Sequence, residues 1–155
     1  QVAFMGANGY DFSYTCYEEI DEASRPLGKL VSGPSKISKA GMFLYCWPGC
    51  LTVMYNAEVV GLVQIADIRR HNDYAMWLKI CRKASCYLLK DNLAWYRKRC
   101  GSISRRSYMT LIRWHYKLFR QAEGRSIIAS VYSTFWNLVF GVLKKLFYVK
   151  RGYKP

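Results

Sequence analysis

The sequence predicts an α/β domain continued by a helical tail, and three observations carry that expectation. Short β-prone segments alternate with helix-period segments from Tyr10 to Arg97. After Ser104 only helix-period patterning remains. Charge divides the chain in a similar way. Residues 1–75 hold eight acidic and six basic side chains, a net −2, and residues 76–155 hold two acidic and 18 basic ones, a net +16, which together give the chain's +14. Such a half is suited to an anionic partner: nucleic acid, phospholipid head groups or a phosphorylated small molecule. At 155 residues the chain can bury one core, and 52% hydrophobic residues exclude a disordered or collagen-like chain.

From Tyr10 to Tyr17, Tyr10, Phe12, Tyr14 and Cys16 alternate with Asp11, Ser13, Thr15 and Tyr17, which is a strand pattern. An acidic stretch from Glu18 to Glu22 follows, and Arg25-Pro26-Leu27-Gly28 reads as a turn into a short strand, Lys29 to Ser32, that pairs back. A helix is expected over Ser38 to Tyr45, broken by Pro48-Gly49. The continuous run Cys50 to Tyr55 fits a central strand buried on both faces. Asn56 can cap a short helix ended by Gly61. Asp67 to His71 is polar and reads as a loop. Asn72 or Asp73 then caps a helix over Tyr74 to Arg82, with Tyr74, Trp77, Leu78 and Cys81 on one face. Two strands, Cys86 to Leu89 and Leu93 to Arg97, precede the break at Gly101-Ser102.

In the tail, one helix carries Met109, Ile112, Trp114, Tyr116 and Phe119; after Gly124 a second runs from Ile127 to Val149. The second has a narrow polar or small stripe of Ser130, Thr134, Asn137, Gly141, Lys144 and Tyr148, and apolar residues fill the remainder. Lys144 and Lys145 make it a poor membrane span. A wide apolar face beside Lys150, Arg151 and Lys154 suits a helix lying in the interface of an anionic membrane, or packing on its own domain or a partner.

The six cysteines, Cys16, Cys46, Cys50, Cys81, Cys86 and Cys100, form no CxxC pair and no zinc spacing with His71 or His115. They read as small apolar core residues in a reducing compartment, and no metal site is expected within the chain. No basic start followed by an apolar run opens the sequence, so no secretory signal is expected. The chain is expected to be processed or a piece of a longer one.

The chemistry concentrates in Asp67 to Lys79. A carboxylate at a helix start gains from the unpaired N–H groups and the helix dipole, and from such a junction it can project into a cleft and take a proton from a hydroxyl. Taken alone, an Asp there is a cap. Four segments change the weighting: Tyr10-Asp11-Phe12-Ser13-Tyr14-Thr15 followed by Tyr17-Glu18; Gly49-Cys50-Leu51-Thr52-Val53-Met54-Tyr55; Asn72-Asp73-Tyr74-Ala75-Met76-Trp77-Leu78-Lys79; and Leu93-Ala94-Trp95-Tyr96-Arg97 with Ser102-Ile103-Ser104. In this order and at these intervals they resemble the acceptor-side half of the family 2 glycosyltransferases, which have the GT-A fold, and most closely the bacterial enzymes that build capsule and lipopolysaccharide sugars.

The resemblance implies that residues 1–104 are the C-terminal half of a GT-A (Rossmann-like) mixed-sheet domain and that 105–155 form a basic helical tail. It implies inverting transfer from a nucleotide-sugar donor to an acceptor hydroxyl, with Asp73 matching the acidic base of a short Glu-Asp or Gln-Asp motif. Asn72 stands where Glu or Gln is more usual. Arg97 and Arg99 fall on the segment that approaches the donor diphosphate, a task suited to guanidinium groups. Trp47 and Asn72 are the acceptor-contact candidates. The family's nucleotide-binding βαβ half, with its Asp-x-Asp motif for a divalent metal (Mg or Mn), has no counterpart in the nine residues before Tyr10, so the isolated chain is expected to be inactive. The implied partners are the donor, a sugar or lipid-linked acceptor, the missing N-terminal half and an anionic membrane surface. The implied location is the inner face of the bacterial plasma membrane. The rival reading is a non-catalytic basic module for nucleic acid or anionic membrane, because Arg97 to Arg106 and Arg113 to Arg125 interleave bases with aromatics; no named nucleic-acid motif accompanies them.

Overall fold

The computed structural model describes residues 1–99 and 107–153. Ser102-Ile103-Ser104 and the 104/105 boundary therefore lie outside the described residues. The elements in order are α1 (Val2–Asn8), β1 (Phe12–Ile20), β2 (Pro26–Val31), β3 (Lys36–Ile37), α2 (Lys39–Leu44), β4 (Met54–Tyr55), α3 (Ala57–Val60), α4 (Asn72–Ile80), β5 (Cys86–Arg97), α5 (Tyr108–Lys117), α6 (Ile127–Phe147) and β6 (Val149–Arg151). The α/β class holds: a six-stranded mixed sheet with a helical C-terminal part, compatible with a piece of a GT-A domain.

The sheet runs β3-β5-β1-β2-β6, with β4 also on β1. Among the described residues only β1 and β5 pair in parallel. β1 is its centre: Phe12 to Cys16 are all buried, including Ser13 and Thr15 on the polar side of the alternation. It extends through Glu18 and Glu19 to Ile20, because the acidic stretch pairs with β2 on one side and β5 on the other. The turn is Asp21 to Arg25, closed by the Asp21 carboxylate on the Arg25 backbone and guanidinium; Pro26 already belongs to β2.

Three sequence expectations need correction. Cys50 to Tyr55 is no central strand: Cys50–Thr52 is a 3₁₀ turn, and only Met54 and Tyr55 pair, with Ser13 and Phe12. Continuous β-propensity there is overridden by the close approach of Gly49 to Tyr17, where a Cβ would sit 2.8 Å from the ring. The two strands after Cys86 are one. Partners of β1 jump from Leu89 to Asn92 and then to Ala94, so Lys90, Asp91 and Leu93 are bulged, not turned. The last helix stops at Phe147, and Val149–Arg151 return as an edge strand on β2.

Other signals hold. Ser38 caps α2 through its hydroxyl on the Gly41 N–H, and Asn56 caps α3, which ends at Gly61 with φ 83°. Cys16, Cys81 and Cys86 are buried free thiols, whereas Cys50 is exposed. One core joins the sheet to α2, α4 and the π turn Leu118–Ala122, through Phe12, Tyr14, Met42, Leu78, Leu118 and Phe119.

The orientation of α6 is the unusual feature. Its polar stripe faces inward: Ser130, Thr134, Asn137 and Lys144 are buried. Its apolar residues face out, with Ile128 83% and Phe147 72% exposed. Hydrogen bonds hold the stripe. Asn137 Nδ2 donates to the Phe43 carbonyl (3.1 Å) and to Tyr74 Oη (3.1 Å), and Lys144 Nζ donates to the Trp47 carbonyl (2.6 Å). Gly141 lets the helix approach α2, since a Cβ there would meet Tyr45 at 3.2 Å. Burial lowers the Lys144 pKa to about 8. Mean hydropathy and length would let Ile127–Phe147 cross a membrane, but its inner face is committed to the domain.

The inverted helix makes an unusual stability pattern. Asn137→Ala removes the donor to the Phe43 carbonyl and should cost about 2 kcal/mol. Phe135→Ala, on the exposed face, should change stability by less than about 0.5 kcal/mol. Urea midpoints of the two variants measure this; the reverse ranking would mean that the apolar face is the packed one.

Candidate active site

In the sheet, α4 precedes β5 by a short turn, and β5 runs parallel to β1. The start of α4 therefore lies toward the carboxyl ends of these strands, where ligands of α/β sheets bind. Asp73 is the second residue of α4, half-buried, and not its cap. The cap position falls to His71, in the left-handed region at φ 57°, with no side-chain cap bond. Asn72 Oδ1 accepts from the Asp73 N–H (2.8 Å), and Asp73 Oδ1 accepts from the Tyr74 N–H (2.8 Å). Both side chains thus satisfy open N–H groups of the first turn. Asp73 Oδ2 accepts no hydrogen bond from a described residue.

The helix start is rigidly seated. Tyr74 and Ala75 are fully buried, and Tyr74 Oη donates to the Met42 carbonyl at 2.7 Å while accepting from Asn137. At the other end Arg82 pairs with the buried Glu123 carboxylate (2.6 Å). The carboxylate of Asp73 acts on its surroundings electrostatically: after burial, it is the next cause raising the Cys46 and Cys50 thiols, and it opposes the burial that lowers His71.

The remaining sequence candidates are dispersed. Asn72 stands beside Asp73. Trp47 is 6% exposed, with its ring against Tyr45, Phe140 and Tyr148 and its Nε1 donating to the Gly41 carbonyl. Its ring is a core element. Arg97, at the end of β5, donates from one guanidinium nitrogen to the carbonyls of Asp21 and Glu22 and to the Ser24 hydroxyl, holding the β1–β2 turn. Arg99 is exposed just beyond it. Among the described residues no group of three or more His, Cys, Asp or Glu side chains is placed to hold a metal ion.

His71, expected within the polar loop Asp67 to His71, is the residue just before α4, and its ring stacks on that of the buried His115, 4.4 Å between centroids, with Tyr74 edge-on to His115. Nothing in their spacing signals this pair; the topology of α5 against α4 makes it. Of the eight described basic residues of the tail, Lys144 and three others are turned to partners within the chain. Arg125 donates to Ser133 Oγ and lies over Phe43, Arg120 donates to the Arg125 carbonyl, and Lys117 lies over Trp114.

No protein-family model matches the chain. It is similar to the teichuronic acid biosynthesis glycosyltransferase TuaG of Bacillus subtilis, 33% identical over 105 residues, which are 67% of this chain and 42% of that protein. It is also similar to the UDP-Glc:alpha-D-GlcNAc-diphosphoundecaprenol beta-1,3-glucosyltransferase WfgD of Escherichia coli, 28% identical over 99% of this chain and 60% of that protein. The chain thus spans about half the length of the curated relatives it matches. Both relatives are named as glycosyltransferases, which supports a glycosyltransferase family for this chain.

The histidine stack makes stability sensitive to acid. Burial, and then the neighbouring His71, push His115 down to about 3 from an ordinary 6.5. His71 is lowered by burial and by Arg70, against Asp73. The unfolded chain binds protons that the folded chain refuses between these values, so stability falls as pH falls through the window. The urea midpoint should drop from about pH 7 to about pH 4, and His115→Phe should flatten that drop. An unchanged slope in His115→Phe would place the acid sensitivity elsewhere.

Proposed function

We propose that the chain is the acceptor-side half of an inverting family 2 glycosyltransferase of GT-A fold, moving a sugar from a nucleotide-sugar donor to a hydroxyl of a lipid-linked acceptor in bacterial surface polysaccharide synthesis. The observation that carries this reading is Asp73 at the seated start of α4, with one carboxylate oxygen tied to the helix and the other accepting no hydrogen bond from a described residue. In the proposed step that second oxygen accepts the proton of the acceptor hydroxyl. The hydroxyl oxygen bonds to the anomeric carbon as the bond from that carbon to the diphosphate breaks, and the nucleoside diphosphate leaves with the electron pair. Asn72 holds the first turn in register beneath the base. Arg99, and Arg97 if the β1–β2 turn releases it, would face the diphosphate. The divalent metal and its ligands belong to the donor-binding half in this reading, and no step is assigned to them here.

The exposed apolar face of α6 lies beside Lys145, Lys150 and Arg151, all exposed. That pairing supports a place at an anionic membrane surface, the cytoplasmic face in a bacterium. It also favours this reading over nucleic-acid binding, because the tail presents a wide apolar surface beside its exposed cations.

Two measurements test the proposal. In an enzyme that unites this chain with a donor-binding half, Asp73→Asn should lower kcat by about 10³-fold with little change in donor KM; full activity in that variant would remove the base from this position. The 155-residue chain alone should show only background transfer. Phosphatidylglycerol vesicles should retain the chain at high salt, and Phe135→Glu with Phe147→Glu should release it; fully salt-labile binding would reduce the membrane contact to plain electrostatics.

A further inference from the structure

Two cavities follow one side of α6. The first, about 380 Å³, has Lys39, Phe43, Arg125, Tyr132 and Trp136 in its lining. The second, about 550 Å³, has Pro34, Trp47, Phe140, Leu143 and Phe147. Tyr132, Trp136, Phe140, Leu143 and Phe147 recur at steps of three and four residues, which puts them in one row on the helix. The two cavities therefore lie end to end as one groove, joined where the Trp136 and Phe140 rings stand 6.0 Å apart between centroids. Tyr132 at one end and Phe147 at the other are exposed, so both ends open to the outside. At the helical rise the row from Tyr132 to Phe147 is about 22 Å long. Half the hydrocarbon thickness of a bilayer is ~15 Å, so one acyl chain can lie at full length along it.

The two ends of the groove differ in charge. At the Tyr132 end the Arg125 guanidinium lies over Phe43, 4.1 Å from the ring centroid, and donates from Nη1 to Ser133 Oγ at 2.6 Å. Its Nε and Nη2 donors have no acceptor among the described residues. Lys39 is exposed on the same cavity, with no acidic partner among the described residues. Neither lining includes an acidic side chain, and from Trp136 onward the groove is aromatic and aliphatic. Two unpaired cations beside a hydroxyl suit a phosphate, which takes charge-assisted hydrogen bonds from both. A free phosphate would fill the first cavity and leave the longer apolar one empty, whereas an anionic lipid fills both. Neither lining includes a residue of α4 or of the loop before it, so the groove is separate from the proposed base.

We infer that this groove seats one molecule of anionic phospholipid, with its phosphodiester on Lys39 and Arg125 and one acyl chain along Trp136, Phe140, Leu143 and Phe147. The inference takes from the membrane-surface reading above only the source of the lipid; the seat stands on the groove.

The test is isothermal titration of the 155-residue chain with monomeric lauroyl lysophosphatidylglycerol, kept below the concentration at which it forms micelles. Saturable binding of one molecule is expected. Lys39→Glu and Arg125→Gln at the cationic end, and Phe147→Glu at the apolar end, should each weaken it by about tenfold or more. Lys39 and Phe147 are exposed, so their substitutions spare the core. Lys150→Glu removes an exposed cation outside the groove, and Leu146→Glu charges the exposed face of α6 outside it; both should leave binding unchanged. Zwitterionic lauroyl lysophosphatidylcholine, and glycerophosphoglycerol, which has the phosphodiester and no chain, should each bind at least about tenfold less tightly. The proposal is overturned if the probe does not bind saturably, if Lys39→Glu and Phe147→Glu leave binding unchanged, if Lys150→Glu or Leu146→Glu weakens it as much as they do, or if either comparison compound binds equally well. Because neither vesicles nor sugar transfer enter the measurement, the seat can fail while vesicle binding and the role of Asp73 stand, and each of those can fail while the seat binds.

Discussion

The structure depends on the hydrogen bonds that meet at Tyr74. This side chain, fully buried on α4, donates to α2 at the Met42 carbonyl and accepts from Asn137 on α6. Three helices are thereby fixed to one another by polar contacts inside an otherwise apolar core, where each bond excludes alternatives because an unpaired partner would be costly. The constraint turns α6 with its polar stripe inward. Its apolar residues then have nowhere to go but out, and the exposed face is a direct consequence of the interior bonds.

The same junction sets the chemistry. Asp73 precedes Tyr74, so whatever locates the tyrosine locates the carboxylate. The backbone of the first turn is held from both sides, by Asn72 on the Asp73 N–H and by Asp73 on the Tyr74 N–H. The proposed base, placed this way, would need no reorganisation to meet a hydroxyl, and precise placement is where most of the benefit of an acid–base group arises. The His71–His115 stack closes the other side of the helix start and joins it to α5. The sheet contributes direction: the parallel pair β1 and β5 brings the carboxyl ends of both strands to the edge where α4 begins.

Much of this was legible in the sequence. The apolar period of Tyr74, Trp77 and Leu78 placed α4, Asn56 and Gly61 bracketed α3, and alternation around Phe12 and Tyr14 placed a strand at β1, although the central position was read onto Cys50 to Tyr55. The polar stripe of α6 was visible as Ser130, Thr134, Asn137, Gly141 and Lys144, yet its direction was not, because periodicity shows that a stripe exists and not what it faces. Hydrogen-bond partners decide that, and they lie far away in sequence at Phe43, Trp47 and Tyr74. Cys50 to Tyr55 misled for the opposite reason: local propensity was strong, and the tertiary approach of Gly49 to Tyr17 overrode it. Val149–Arg151 carries two basic residues and reads as a cationic helix end until β2 is there to pair with it. The histidine stack has no local signature at all.

The central claim is a single displacement driven by one carboxylate. The stereochemistry of the product tests it most directly. With an α-linked nucleotide-sugar donor and an enzyme that unites this chain with a donor-binding half, the anomeric signal of the first product formed should be read by proton NMR. A β-linked product means that the acceptor hydroxyl attacked from the face opposite the leaving diphosphate, as a base at Asp73 requires. An α-linked product would mean retention of configuration, and the assignment of Asp73 as the base of a direct displacement would be wrong.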